Sequence, residues 1–167
     1  MTIFLIGFMG CGKTTVGKKL AKKLGYNFLD LDFEIEKNEQ STIAKIFELN
    51  GEAYFRNLEH QFLTSFNPKN NNVISCGGGT PYFFNNMEMM NNIGYTVYIQ
   101  MKAEALFSRL KNSLTTRPLL QNKTEIELKK YIQDMLSERE PYYLNAQLIT
   151  NGLSININQL ADTFMKS

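Results

Sequence analysis

A chain of 167 residues, 43% hydrophobic and 20% charged, has the size and composition of one soluble globular domain, and residues 1–167 are read as such. The net charge of +2 is small and the lysines are scattered, which argues against a nucleic-acid partner. No apolar stretch approaches the ~18 residues that would span a membrane, so no membrane role and a cytoplasmic location are expected.

Short apolar runs alternate with helical patterns along the chain, the signature of βαβ units and a parallel sheet in an α/β fold. The first candidate strand covers residues 3–6, too short for a signal peptide. It leads into Gly7-Phe8-Met9-Gly10-Cys11-Gly12-Lys13-Thr14, which satisfies G-x-x-x-x-G-K-[ST] between a strand and an amphipathic helix. The glycines let several N–H groups converge on one anion, and the helix adds the positive end of its dipole. Gly10, Cys11, Gly12, Lys13, Thr14 and Thr15 are therefore the expected ATP contacts. Lys13 should reach the β- and γ-phosphates, and the Thr14 hydroxyl should help hold Mg²⁺.

The following helix carries Val16, Leu20 and Leu24 on one side and is expected to end at Gly25. A second strand, 28–31, runs into Asp30-Leu31-Asp32. Strand alternation would place both carboxylates on one face at the C-terminal edge of the sheet, where ligands of open α/β sheets bind. One could support Mg²⁺ while the other takes a hydroxyl proton; alternatively, one merely caps the next helix. Residues 42–66 read as helical with a break near Gly51, and His60 on that helix reads as an ordinary surface residue. A third strand, 73–75, precedes Cys76-Gly77-Gly78-Gly79-Thr80-Pro81, where three glycines suggest close backbone approach to a ligand or a plain turn into a helix.

The Asn-rich stretches at 70–72 and 87–92 read as loops or helix ends. A fourth strand is expected at 96–101 and a mobile loop at 113–123. Thr124 and Glu127 have capping-box spacing at the head of a helix that Pro141 should kink or end, and a fifth strand follows at 147–150. Cys11 and Cys76 make no disulfide framework, and one histidine cannot anchor zinc. Both thiols fall near the expected phosphates, which raises thiol sensitivity as a minor hypothesis.

Among eighteen basic residues only four are arginine, Arg56, Arg109, Arg117 and Arg139. In a chain that otherwise uses lysine, these are candidates for forked anion binding. The guanine-reading N-K-x-D element of a GTPase is missing, and the size suits a kinase of a small metabolite.

The ordered set of Gly7–Thr14, Asp30-Leu31-Asp32, Phe55-Arg56 with Glu59, Gly77-Gly78-Gly79, Arg117-Pro118-Leu119-Leu120 and Arg139-Glu140-Pro141-Tyr142-Tyr143 resembles the shikimate kinase family from Phe4 to about Ala146. The resemblance implies a three-layer α/β/α P-loop NTPase fold with a five-stranded parallel sheet in the order 2-3-1-4-5, a substrate-binding region at about 32–60 and a lid at about 113–123. It implies transfer of the ATP γ-phosphoryl to the 3-hydroxyl of shikimate, in chorismate and aromatic amino-acid biosynthesis, by a monomer.

In that frame Asp32, Arg56, Gly77, Gly78, Gly79 and Arg139 form the shikimate site, with Arg56 and Arg139 on the carboxylate and Asp32 on the reacting hydroxyl. Asp30 and Thr14 lie at Mg²⁺, Arg109 against the adenine, and Arg117 on the lid over the phosphates. Lys13, Asp32 and Arg117 are the implied catalytic set. The run Thr150-Asn151-Gly152 lacks the basic residue and proline usual near the adenine. The alternatives are another small-acid kinase, such as a gluconate kinase, and a nucleotide-binding regulatory module without catalysis.

Overall fold

The computed structural model describes residues 1–111 and 123–165. Its centre is β1 (Thr2–Ile6), whose five residues are all buried. The apolar run Ile3–Ile6 within it belongs to a parallel strand covered on both faces. It pairs in parallel with β3 (Asn72–Ser75) on one side and β4 (Tyr95–Gln100) on the other, Phe4 facing Ile74 and Thr96. β2 (Asn27–Asp30) adds to β3, and β5 (Leu148–Asn151) to β4, giving the parallel order β2-β3-β1-β4-β5. The two edge strands are the less buried ones. All five expected strands are present, each within a residue of its expected bounds.

The crossover helices cover the sheet on both faces, as right-handed βαβ connections require. α1 (Lys13–Leu24) buries Val16, Leu20 and Ala21 and ends at Gly25, whose N–H caps the Ala21 carbonyl. α2 (Leu31–Glu39) and α3 (Ile43–Ser65) fold back on each other over a small separate core of Leu31, Ile35, Ile46 and Phe55. α3 is interrupted at Gly51, where φ is 81° and ψ 173°. α4 (Asn86–Ile93), α5 (Ala103–Leu110), α6 (Glu125–Tyr143) and α7 (Ile157–Met165) complete the layers, with α7 against α1. Fully buried side chains such as Leu20, Val97 and Ile132 unite the main core, each stabilising by about 1.5–3 kcal/mol.

Thr124 and Glu127 form the expected capping box on α6. Pro141 does not stop the helix, which continues to Tyr143 before Leu144 N–H closes on the Glu140 carbonyl. Three expectations need correction. The second strand stops at Asp30, so Asp32 lies in the first turn of α2 and owes its position to a helix. The stretch read as loops or helix ends at 87–92 is the body of α4. His60 is half-buried; its Nδ1 lies 2.7 Å from Asn86 Oδ1, and its ring stacks on Phe84 with centroids 4.7 Å apart. The expected lid, apart from Lys123, lies outside the described residues, as does Arg117.

Candidate active site

The loop between β1 and α1 is shaped for an anion. Gly12 stands at the N-cap of α1 with φ 102°, a left-handed conformation open to glycine, and it offers no side chain to the helix. With no acidic residue in the first turn either, the leading N–H groups of α1 point unanswered into the cleft. Lys13 is buried; its Nζ donates to the carbonyls of Gly7 at 2.8 Å and Phe8 at 3.0 Å. The ammonium is thus held over the loop where a phosphate would sit.

Beside it, Thr14 Oγ1 donates to Asp30 Oδ2 at 2.8 Å, with Ser75 Oγ 3.4 Å away. Two hydroxyls and one carboxylate are hard oxygen donors. Among the described residues no group of three His, Cys, Asp or Glu could hold a metal unaided. An ion that keeps several waters and binds substrate phosphates suits this set, and Mg²⁺ is such an ion. A cavity of about 310 Å³ is lined by Gly10, Gly12, Lys13, Thr14, Thr15, Asp30 and Asp32 together with Gly77 and Gly78.

A second cavity, of about 520 Å³, adjoins it and is lined by Phe47, Phe55, Arg56, Glu59, Gly79 and Arg139. Met9, Asp32, Gly77 and Gly78 border both spaces. Asp32 is open to water in the cleft yet enclosed by protein around its base. That enclosure, with the nearby Glu59 and Asp30 carboxylates, raises its pKa to about 6 against the pull of Lys13 and Arg56. Water filling the open cleft tempers the effect; a ligand that displaced this water would strengthen it.

Arg56 is buried on α3. Nε and Nη2 donate to Glu52 Oε1 at 3.1 and 2.9 Å, and Nη1 to Glu59 Oε2 at 2.7 Å. Burial disfavours its charge, but Glu59 and Glu52 outweigh that and hold its pKa above the ordinary value. Phe83 lies 4.4 Å from the guanidinium carbon, and Phe55 5.2 Å. Glu59 is fully buried, which raises its pKa although Arg56 and the Thr80 hydroxyl bind its two oxygens.

Arg139 differs: it is only 6% exposed, makes no ion pair among the described residues, and leaves Nε without a hydrogen-bond partner. A buried cation in that condition is destabilising unless a ligand anion completes it.

Gly77 and Gly79 leave room for the side chains of the site. A Cβ on Gly77 would stand 2.6 Å from Glu59 Oε1, and one on Gly79 2.5 Å from Arg56 Nη1. The close approach expected of these glycines is therefore first to the side chains that build the site.

Cys11 and Arg109 do not line either cavity. Cys11 is buried beneath the loop, and Arg109 donates to the carbonyls of Gly10 at 3.3 Å, Cys11 at 3.1 Å and Gly152 at 3.5 Å, tying α5 to the loop and to the turn after β5. That turn closes on itself, with Leu153 N–H bound to Asn151 Oδ1 at 2.9 Å. Both cysteines are free and buried, and burial pushes the Cys76 thiol far up, away from its reactive form. Sequence reasoning assigned no role to Glu59, Ser75 or Thr80. Only Glu59 carried a signal, its spacing three residues after Arg56 on a helix.

The chain is similar over most of its length to known proteins. A family profile described as shikimate kinase matches residues 9–167. A shikimate kinase of Bacteroides thetaiotaomicron is 46% identical over 150 residues, covering 90% of this chain and 86% of that protein. A crystal structure of shikimate kinase from the same organism superposes with a TM-score of 0.86 at 40% identity, covering 99% of this chain and 97% of the other. The shikimate kinase of Acinetobacter baumannii in complex with shikimate gives 0.86 at 34% identity, over 99% of this chain and 90% of that one. Family profile, curated relative and superposed structures agree, and the chain belongs to the shikimate kinase family.

Proposed function

We infer that the chain transfers the γ-phosphoryl group of ATP to the 3-hydroxyl of shikimate, giving ADP and shikimate 3-phosphate for aromatic biosynthesis. One observation carries the reading: Asp32 stands on the seam between a phosphate-binding cleft and a cavity containing an unpaired buried arginine. A nucleotide in the first and a carboxylated acceptor in the second would meet there.

Gly10, Gly12 and the N-terminus of α1 bind the triphosphate, with Thr14 and Thr15 at its edge. Lys13 exchanges its carbonyl partners for phosphate oxygens and offsets charge as it builds on the transferring group. Thr14 and Asp30 would hold Mg²⁺, whose charge would offset that of the phosphates. Arg139 completes its donor set with the acceptor's carboxylate, and Arg56, propped by Glu59, shares that anion. Asp32 hydrogen-bonds the acceptor hydroxyl and takes its proton; with a pKa of about 6 it is ionised at neutral pH and still basic enough to serve. Arg109 braces the adenine side, and Arg117 acts from the lid. No helix among the described residues is long and apolar enough to cross a membrane; we assign the enzyme to the cytoplasm as a monomer of one domain.

The test is ADP release by purified protein with shikimate, gluconate or a nucleoside monophosphate as acceptor. Turnover with shikimate alone is expected. Preference for gluconate, or ATP hydrolysis indifferent to acceptor, would contradict the assignment.

A further inference from the structure

Three consecutive glycines make a poor binding platform on their own, because each peptide rotates at little cost. Something outside the loop must set them, and the side chain in place to do so is Tyr143. It is fully buried at the end of α6, with its ring 5.1 Å from that of Tyr98. Its hydroxyl donates to the carbonyl oxygen of Gly78. Arg139 lies one turn earlier on the same helix and lines the larger cavity.

The direction of the next N–H follows. The chain has no cis peptide, and in a trans peptide C=O and N–H point in opposite directions. A Gly78 carbonyl turned to Tyr143 therefore sends the Gly79 N–H away from it. Thr80 N–H is bound to the Gly77 carbonyl at 3.2 Å, but Gly79 N–H has no acceptor among the described residues. Gly79 is itself buried, and it lines the larger cavity with Arg56 and Arg139.

We propose that Tyr143 is a positioning residue for recognition of the acceptor's carboxylate: its hydroxyl locks the Gly78–Gly79 peptide so that one N–H joins the Arg139 guanidinium in facing that anion. The proposal rests on the shikimate reading above. Tyr143 touches neither substrate; it acts by making two donors converge.

Tyr143→Phe keeps the ring and its packing and deletes only the hydroxyl. KM for shikimate should rise about tenfold, the worth of one hydrogen bond, while kcat falls less and KM for ATP holds. The methyl ester of shikimate, which lacks the negative charge, should lose much less on the same substitution. A merely structural role predicts a lowered thermal midpoint with no selective rise in KM for the acid. That outcome, or equal losses for acid and ester, overturns the proposal.

A measurement on the unsubstituted enzyme serves if the variant folds poorly. The ¹⁵N-resolved amide signal of Gly79 should move on titration with shikimate but not with ADP alone; a signal blind to shikimate overturns it. An unsubstituted enzyme that phosphorylates no shikimate refutes the functional reading, whereas normal turnover with an unchanged KM in Tyr143→Phe removes only the tyrosine's role.

Discussion

Arg139 supplies the sharpest prediction because it should trade stability against binding. Its guanidinium is buried to within 6% of full enclosure, without an ion pair among the described residues and with Nε unpartnered. Replacement by lysine keeps the charge and loses the planar fork. A charged hydrogen bond is worth about 1.5–3 kcal/mol, so KM for shikimate should rise by roughly 10- to 150-fold in Arg139→Lys.

Arg139→Met removes the buried charge as well. It should bind shikimate no better than the lysine variant, yet the ligand-free protein should unfold at higher temperature. Relief of about 1 kcal/mol corresponds to roughly 2–4 °C for a domain of this length. Steady-state kinetics at saturating ATP and calorimetric unfolding without ligand give both numbers. An unchanged KM in Arg139→Lys, or a methionine variant less stable than the parent, would refute the idea that this arginine is held in readiness for a ligand.

Other consequences are separable. Lys13→Ala should abolish nearly all turnover, measured as single-turnover ADP formation, because its ammonium is the charge held over the phosphate loop. Activity should fall with slope one as pH drops through about 6, where Asp32 takes up a proton, and Asp32→Asn should lack turnover at any pH. The sign for stability is opposite. A carboxyl raised from 3.8 favours folding below that value and loses the contribution as pH climbs through about 6, so Asp32→Asn should unfold at higher temperature at pH 8. Glu59→Ala leaves buried Arg56 without its closest partner and should cost about 3 kcal/mol in urea unfolding, the lower range for a broken buried pair.

The fold was largely legible because its strands are apolar runs punctuated by turn chemistry. Two helices had weaker cues: the body of α4, Asn86–Ile93, is rich in methionine and asparagine and read as loops or helix ends, and α7, Ile157–Met165, lies beyond the last motif. Asp32 reaches the cleft by another route than the one expected. Strand alternation would have paired it with Asp30, but β2 stops one residue earlier, and a turn of helix brings it to the cleft. Arg56 and Arg139 stood out through the chain's preference for lysine. Thr80 and Tyr143 could not be found that way, because their contacts lie 21 and 65 residues away along the chain; the spacing of Glu59 from Arg56 was a signal, its bond with Thr80 was not. Spacing within one helix says nothing about such contacts.

The most direct test is a crystal structure with shikimate and a non-hydrolysable ATP analogue bound together. The expected complex has the nucleotide's phosphates on the loop under Lys13, the carboxylate between Arg56 and Arg139, and the 3-hydroxyl within hydrogen-bond reach of Asp32, in line with the γ-phosphorus. An acceptor whose carboxylate pointed to solvent, with its hydroxyl remote from Asp32, would contradict the account.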